Sequence, residues 1–159
     1  MPDEPLIDPA ALAAARVLAE REDILRVIAQ RGRFALLDGI LDADPTGETV
    51  AGFKEIRADD WWVPDHVPGR PLFPGVLMCE AAAQLCSYDF LTKHPIREGG
   101  FLGFAGMNDT RFRGTVQPTC RMIFVARPIR LRSRMFTYAA QGFVESKLVF
   151  ETEILGSLV

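Results

Sequence analysis

The 159-residue sequence lacks most of the features that announce a function at once. It has three cysteines, Cys79, Cys86 and Cys120, and no two of them form a CxxC pair. That excludes a disulfide framework. It points to a reducing cytoplasm, with the thiols acting as small core hydrophobes. There are two histidines, His66 and His94, and no His/Cys/Asp cluster at metal-ligand spacing, so no metal centre is expected. No Gly-rich phosphate loop and no nucleophile elbow occurs. Positive charge is not in surplus: the net charge is -3, which gives no general attraction to nucleic acid or acidic membranes. The start, Met1-Pro2-Asp3-Glu4, is acidic and no apolar run follows it, so no secretory signal is expected. The most apolar stretch, Leu72 to Leu91, carries Glu80 and Asp89 and contains Pro74 and Gly75, so no membrane span is expected either.

What is present is an ordinary globular composition, 48% hydrophobic and 25% charged, in a chain long enough for one domain. Asp8-Pro9 followed by Ala10 to Arg21 predicts a helix, capped by Asp8 with Pro9 in its first turn. Residues 22–30 predict a second short helix. Phe34 to Leu41 is an apolar run of strand length. Asp44-Pro45-Thr46-Gly47 is a turn, and Thr49 to Ile56 reads as the strand that completes a hairpin. Val76 to about Leu91 predicts a helix that is apolar nearly all round, and such a helix is buried. Strands follow at about 101–109, 119–130, 133–144 and 147–156, the last two joined near Glu145-Ser146. The order suits an α+β architecture, an antiparallel sheet packed on a single helix. Residues 1–21 then form a helical extension and residues 22–159 a single domain.

One segment breaks the pattern. Pro64, Pro68, Gly69, Pro71, Pro74 and Gly75 crowd into a short stretch that cannot be regular and has a stiff backbone. His66 sits on it. Just beyond, Glu80 lies in the middle of the apolar helix, where an ionised carboxylate must be paired or become protonated. Gln84, four residues on, shares its helical face and can orient the carboxyl group. Gly75, at the helix N-terminus, offers a bare backbone N–H where the helix dipole favours negative charge. These parts suit proton abstraction next to a carbonyl. A histidine base takes the proton, N–H donors hold the developing oxyanion, and a neutral carboxyl protonates the leaving hydroxyl. Each residue also has a plainer reading. His66 is then a surface histidine, Glu80 the partner of Arg111 or Arg113, and Gly75 only a turn residue.

The segment from Asp65 to Gln84 has the pattern His-x-Pro-Gly-x-Pro-x-x-Pro-Gly-Val-Leu-x-x-Glu-Ala-x-Ala-Gln. It closely resembles the active-site stretch of the 3-hydroxyacyl-[acyl-carrier-protein] dehydratases, hotdog-fold proteins of fatty acid synthesis. The likeness extends more weakly from about Ile24 to the C-terminus, with Phe34 to Leu41 similar to the family's first strand and Arg111-Phe112-Arg113 to its Arg-Phe-Arg turn. The resemblance implies a hotdog fold, a sheet wrapped around one long helix. It implies His66 as base, Glu80 as acid, the Gly75 N–H on the thioester carbonyl and Gln84 holding the carboxyl. It also implies a site shared across a homodimer, or a hexamer built from dimers. No organic or metal cofactor is implied, the substrate arriving on phosphopantetheine attached to acyl carrier protein or coenzyme A. Glu80, where related isomerising enzymes have Asp, implies dehydration alone. Val67 stands where the family usually has an aromatic residue. Gln30-Arg31-Gly32-Arg33 replaces a His-Arg-Tyr-Pro stretch, and Pro118-Thr119-Cys120 a Pro-Gly-Asp turn. These departures bear on the acyl tunnel rather than on the acid/base pair.

From Thr110 to Val144 there is no acidic residue but there are seven arginines. This stretch reads either as a docking surface for an acidic carrier protein, with Arg111 and Arg113 as candidates, or as solubilising positions on outward strand faces. His94 reads as a solvated loop residue. Trp61 and Trp62 read either as lining of an acyl tunnel or, for one of the two, as a plain core anchor, which is the expectation. The sequence therefore points to a dehydratase of 3-hydroxyacyl thioesters. A hotdog thioesterase and a non-catalytic acyl- or carrier-binding subunit are the alternatives.

Overall fold

The computed structural model describes residues 4–159, so Met1 to Asp3 of the acidic start lie outside the described residues. Its elements are α1 (Pro9–Ala14), β1 (Arg16–Glu20), α2 (Arg21–Leu25), β2 (Gly39–Asp42), β3 (Val50–Ile56), α3 (Gly75–Lys93), β4 (Leu102–Phe112), β5 (Cys120–Leu131), β6 (Met135–Val144) and β7 (Lys147–Leu158). The seven strands form one sheet in the order β1-β2-β3-β5-β6-β7-β4, and every pairing is antiparallel. The sheet is open, with β1 at one edge and β4 at the other. The α+β architecture, a sheet around one long helix, is as the sequence predicts.

α3 is the axis of the core. Met78, Cys79, Ala81, Ala82, Ala83, Leu85, Cys86 and Phe90 are all buried on it, which explains why its apolar residues follow no single stripe. The sheet supplies the facing layer by period-two alternation. On β5, Met122, Phe124 and Ala126 join the α3 cluster, while Ile123 and Val125 point to the outer face. On β6, Phe136, Tyr138 and Ala140 face α3. Glu145 and Ser146 both adopt positive φ, 49° and 66°, and turn β6 into β7 as a tight hairpin.

The N-terminal residues cover the outer face. Ile7 and Leu12 pack there with Leu41, Ala51, Phe53, Val125 and Phe143. The covering segment is fastened by polar groups. Buried Gln141 accepts from the Leu6 N–H at 2.8 Å and donates to the Glu4 carbonyl at 3.0 Å, while Arg127 donates to the Leu6 carbonyl at 2.6 Å.

Two expectations are corrected. The Ala10 to Arg21 stretch is not one helix: α1 ends at Ala14, and Arg16–Glu20 is a strand paired with β2. The alanines favour helix, but Val17 to Glu20 gain a ladder of backbone hydrogen bonds on an open sheet edge, and tertiary pairing overrides propensity. Nor is Phe34 to Leu41 a strand throughout. Gly32–Phe34 is a single 3-10 turn and β2 starts at Gly39. The Leu36 N–H is bonded to the side chain of Gln84 instead of to a neighbouring strand.

Candidate active site

The Pro/Gly-rich segment is held at both ends. Trp62, 2% exposed, is the expected core anchor and packs on Phe73 with ring centroids 5.4 Å apart. Trp61 is exposed. The His66 N–H donates to the Trp62 carbonyl at 2.9 Å. The His66 ring is fixed as well, its Nδ1 lying 2.8 Å from the Leu72 carbonyl oxygen. A carbonyl can only accept, so Nδ1 carries a proton, and in the neutral ring the lone pair is on Nε2. That is the tautomer a general base requires, and the side chain is exposed to meet a substrate.

Glu80 is half-buried on α3, and its partner is Gln84 rather than an arginine. Gln84 is 1% exposed and fully engaged. Its Oε1 accepts from the Leu36 N–H at 3.0 Å; its Nε2 donates to the Phe34 carbonyl at 2.5 Å and to Glu80 Oε1 at 2.9 Å. Because Oε1 of Glu80 already accepts, Oε2 is the oxygen left to carry a proton. Arg113 is paired instead with buried Glu151 at 3.0 Å, and Arg111 donates to the Thr110 carbonyl at 3.0 Å.

Gly75 opens α3, so its N–H lies outside the helical hydrogen-bond ladder. A Cβ at this position would come within 2.8 Å of the Phe112 ring. Glycine is therefore needed for packing as well as for close approach. Phe112, stacked on Phe150 at 5.7 Å, is a neighbour of the site that the sequence reading passed over in favour of its flanking arginines. Glu80 and Gln84 are thus brought together. Among the described residues, no hydrogen bond or ion pair joins His66 to Glu80 within one chain.

Larger cavities lie elsewhere. One of about 270 Å³ is bordered by Arg21, Lys54, Asp60 and Trp61, and one of about 430 Å³ by Phe90, His94, Arg97, Arg132 and Arg134. Neither contains His66, Gly75 or Glu80, so chemistry rather than size identifies the site. His94 stacks on Phe90 at 4.8 Å, and its Nδ1 lies 3.2 Å from the Phe90 carbonyl at the C-terminus of α3. Among the described residues no group of three or more His, Cys, Asp or Glu is placed to hold a metal. None of the described helices is long and apolar enough to cross a membrane.

Known proteins are similar to this chain in fold and in sequence. The fold is similar to that of the dehydratase heterocomplex ApeI:P from Xenorhabdus doucetiae, with a TM-score of 0.71 at 11% identity over 91% of this chain and 93% of that one. It is also similar to a thioesterase from Pseudomonas aeruginosa, with a TM-score of 0.65 at 15% identity over 91% and 97% of the two chains. At such identities the likeness establishes the hotdog fold alone. Sequence carries more. The 3-hydroxyacyl-[acyl-carrier-protein] dehydratase FabZ of Desulfotalea psychrophila is 31% identical over 135 residues, 84% of this chain and 89% of the relative. That of Syntrophobacter fumaroxidans is 33% identical, over 85% and 90%. The FabA-like domain matches residues 28–153, and with these relatives it places the chain in the FabA-like family of 3-hydroxyacyl-[acyl-carrier-protein] dehydratases.

Proposed function

We propose that this protein removes water from 3-hydroxyacyl thioesters carried by acyl carrier protein, giving trans-2-enoyl thioesters in fatty acid synthesis. His66 Nε2 takes a proton from C2 of the substrate. The Gly75 N–H donates to the thioester oxygen as negative charge develops there. Glu80, in its acid form, gives its Oε2 proton to the C3 hydroxyl, which leaves as water while the C2–C3 double bond forms. Protons balance: the one gained by His66 and the one lost by Glu80 restore each other through solvent in the next cycle. The acid, the base and the backbone donor suffice for the reaction, and no cofactor enters it. The unpaired thiols favour the cytoplasm as its location. The observation that carries the reading is the Gln84 clasp, which fixes Glu80 from a side chain bonded to the backbone on both sides.

The working unit in this proposal is a homodimer in which His66 of one copy serves with Glu80 of the other. That no hydrogen bond or ion pair joins these residues within a chain, among the described residues, is in keeping with it. So is β4, an edge strand with exposed Phe104, Met107 and Phe112, which is a long apolar edge suited to pairing with a second copy. Dimers of this kind can assemble further into hexamers. Carrier docking falls to the arginine-rich face, with Arg111 and Arg113, both exposed and on either side of Phe112, as its candidates.

The test is enoyl-thioester absorbance with wild type, His66→Ala and Glu80→Gln. Turnover in the wild type and its loss in both variants is expected, and activity surviving both changes would sink the mechanism. Release of free thiol without enoyl product would mark a thioesterase instead.

A further inference from the structure

A narrow groove starts at Glu80 and follows α3. Glu80, Ala83, Gln84 and Ser87 form one wall, and their spacing puts them on a single helix face. At a rise of 1.5 Å per residue this wall is roughly 10 Å long. Leu102 to Phe104 of β4 and Ile154 to Gly156 of β7 form the other wall. Polar groups, Gln30, Gln84 and Ser87, mix with apolar ones in the lining and Glu80 is its sole ionisable residue, so the groove suits an uncharged occupant, which in the dehydratase reading is the alkyl tail beyond C3. Yet the open space is only about 30 Å³, room for one or two water-sized groups.

Phe136 closes it. This residue is 3% exposed and sits directly across from Gly156 in the β6–β7 register. Its ring covers that glycine so closely that a Cβ on Gly156 would overlap it. The ring is also braced, against Phe90 at 5.1 Å and edge-on to Tyr138 at 5.0 Å. Tyr138 is itself pinned: its hydroxyl donates to Asp89 at 2.7 Å, and Asp89 pairs with Lys93 at 2.8 Å. A ring held on these sides is a fixed wall rather than a swinging gate.

We infer that Phe136 sets the acyl-chain length. With C3 of the substrate at Glu80, the alkyl tail runs along the Ala83 and Ser87 wall and stops at the Phe136 ring, so the protein favours short 3-hydroxyacyl thioesters. This rests on the dehydratase reading above.

The experiment measures kcat/KM for dehydration across four- to twelve-carbon 3-hydroxyacyl carrier-protein thioesters. Wild type should be best on the shortest and decline with length. Phe136→Leu and Phe136→Ala should move the optimum to longer chains, with a gain of about fourfold for each methylene newly accommodated, the yield of burying one. Their four-carbon activity should stay within about twofold of wild type. Ser87→Leu fills the groove from the opposite wall and leaves the Phe136 packing intact. It should depress longer substrates further while sparing the four-carbon one, so the idea is tested even where the Phe136 variants fold poorly. A wild-type profile flat with length, or a Ser87→Leu profile identical to wild type, overturns the ruler and leaves the dehydratase reading in place. Absence of dehydration at every length removes both.

Discussion

Replacing Gln84 by alanine removes three hydrogen bonds at once. The Leu36 N–H is then left buried without a partner, at about 1–3 kcal/mol, whereas the Phe34 carbonyl lies on an exposed residue and can recruit water. The missing side chain adds a cavity against α3. The sum is about 3–5 kcal/mol, which in a domain of this size lowers Tm by roughly 6–20 °C. That alone would describe any buried glutamine. The distinguishing effect is catalytic: Glu80 loses the donor that fixes which oxygen carries the proton and where it points. Misplacement of a reacting group by about 1 Å costs on the order of a hundredfold, so kcat should fall by about that factor while KM changes little. Gln84→Met, which keeps the volume but not the amide, should regain part of the Tm and none of the kcat. The assay is steady-state enoyl formation at a temperature where circular dichroism shows each variant folded. A kcat within twofold of wild type in folded Gln84→Ala would refute the reasoning and reduce Gln84 to a tie within the core.

Four further outcomes are expected. Mixing inactive His66→Ala with inactive Glu80→Gln, followed by subunit exchange, should restore about a quarter of wild-type activity, since half the dimers are mixed and each of those has one intact site of two; no recovery would place both residues in one chain's site. Deleting residues 1–15 uncovers the outer-face cluster around Phe53, Val125 and Phe143 and removes buried Ile7 and Leu12. A loss of about 3–6 kcal/mol at most and increased light scattering should follow, and unchanged Tm would contradict the packing described. Tyr138→Phe leaves Asp89 short of a donor in a buried setting and should cost about 1–3 kcal/mol in denaturant unfolding. The thiols should resist alkylation near neutral pH and react only as pH rises. Burial pushes all three upward, with help from the negative charge of Asp89 at Cys86 and of Glu145 and Glu55 at Cys120; rapid modification of folded protein at pH 7 would argue against that burial.

The parts of the fold legible in the sequence are those with a strong local period. α3 could be read because its apolar run is too long and too uniform for a surface helix, and β3 to β7 because turn residues separate them. The Ala10 to Arg21 stretch misled because alanine's helix preference is local, whereas the pairing of β1 with β2 depends on an edge made by residues about twenty or more positions away. Within the site, the residues from His66 to Gln84 lie in one continuous segment, and their types alone suggested their chemistry. Phe112 and Phe136 could not be singled out in this way. Each is one aromatic among alternating strand residues, and only the register opposite α3 or Gly156 brings it to the site.

The Gln84 clasp also limits how the chain can be altered. Through it the aim of Glu80 is referenced to the backbone at Phe34 and Leu36, in a short segment that has no reacting group of its own. An insertion or deletion between Gly32 and Gly39 would move those anchor points and turn the acid, although every residue from His66 to Gln84 stayed the same. Grafting this active site onto another scaffold would therefore require two pieces of chain, and the one without any chemistry would have to be matched more closely in length than in sequence.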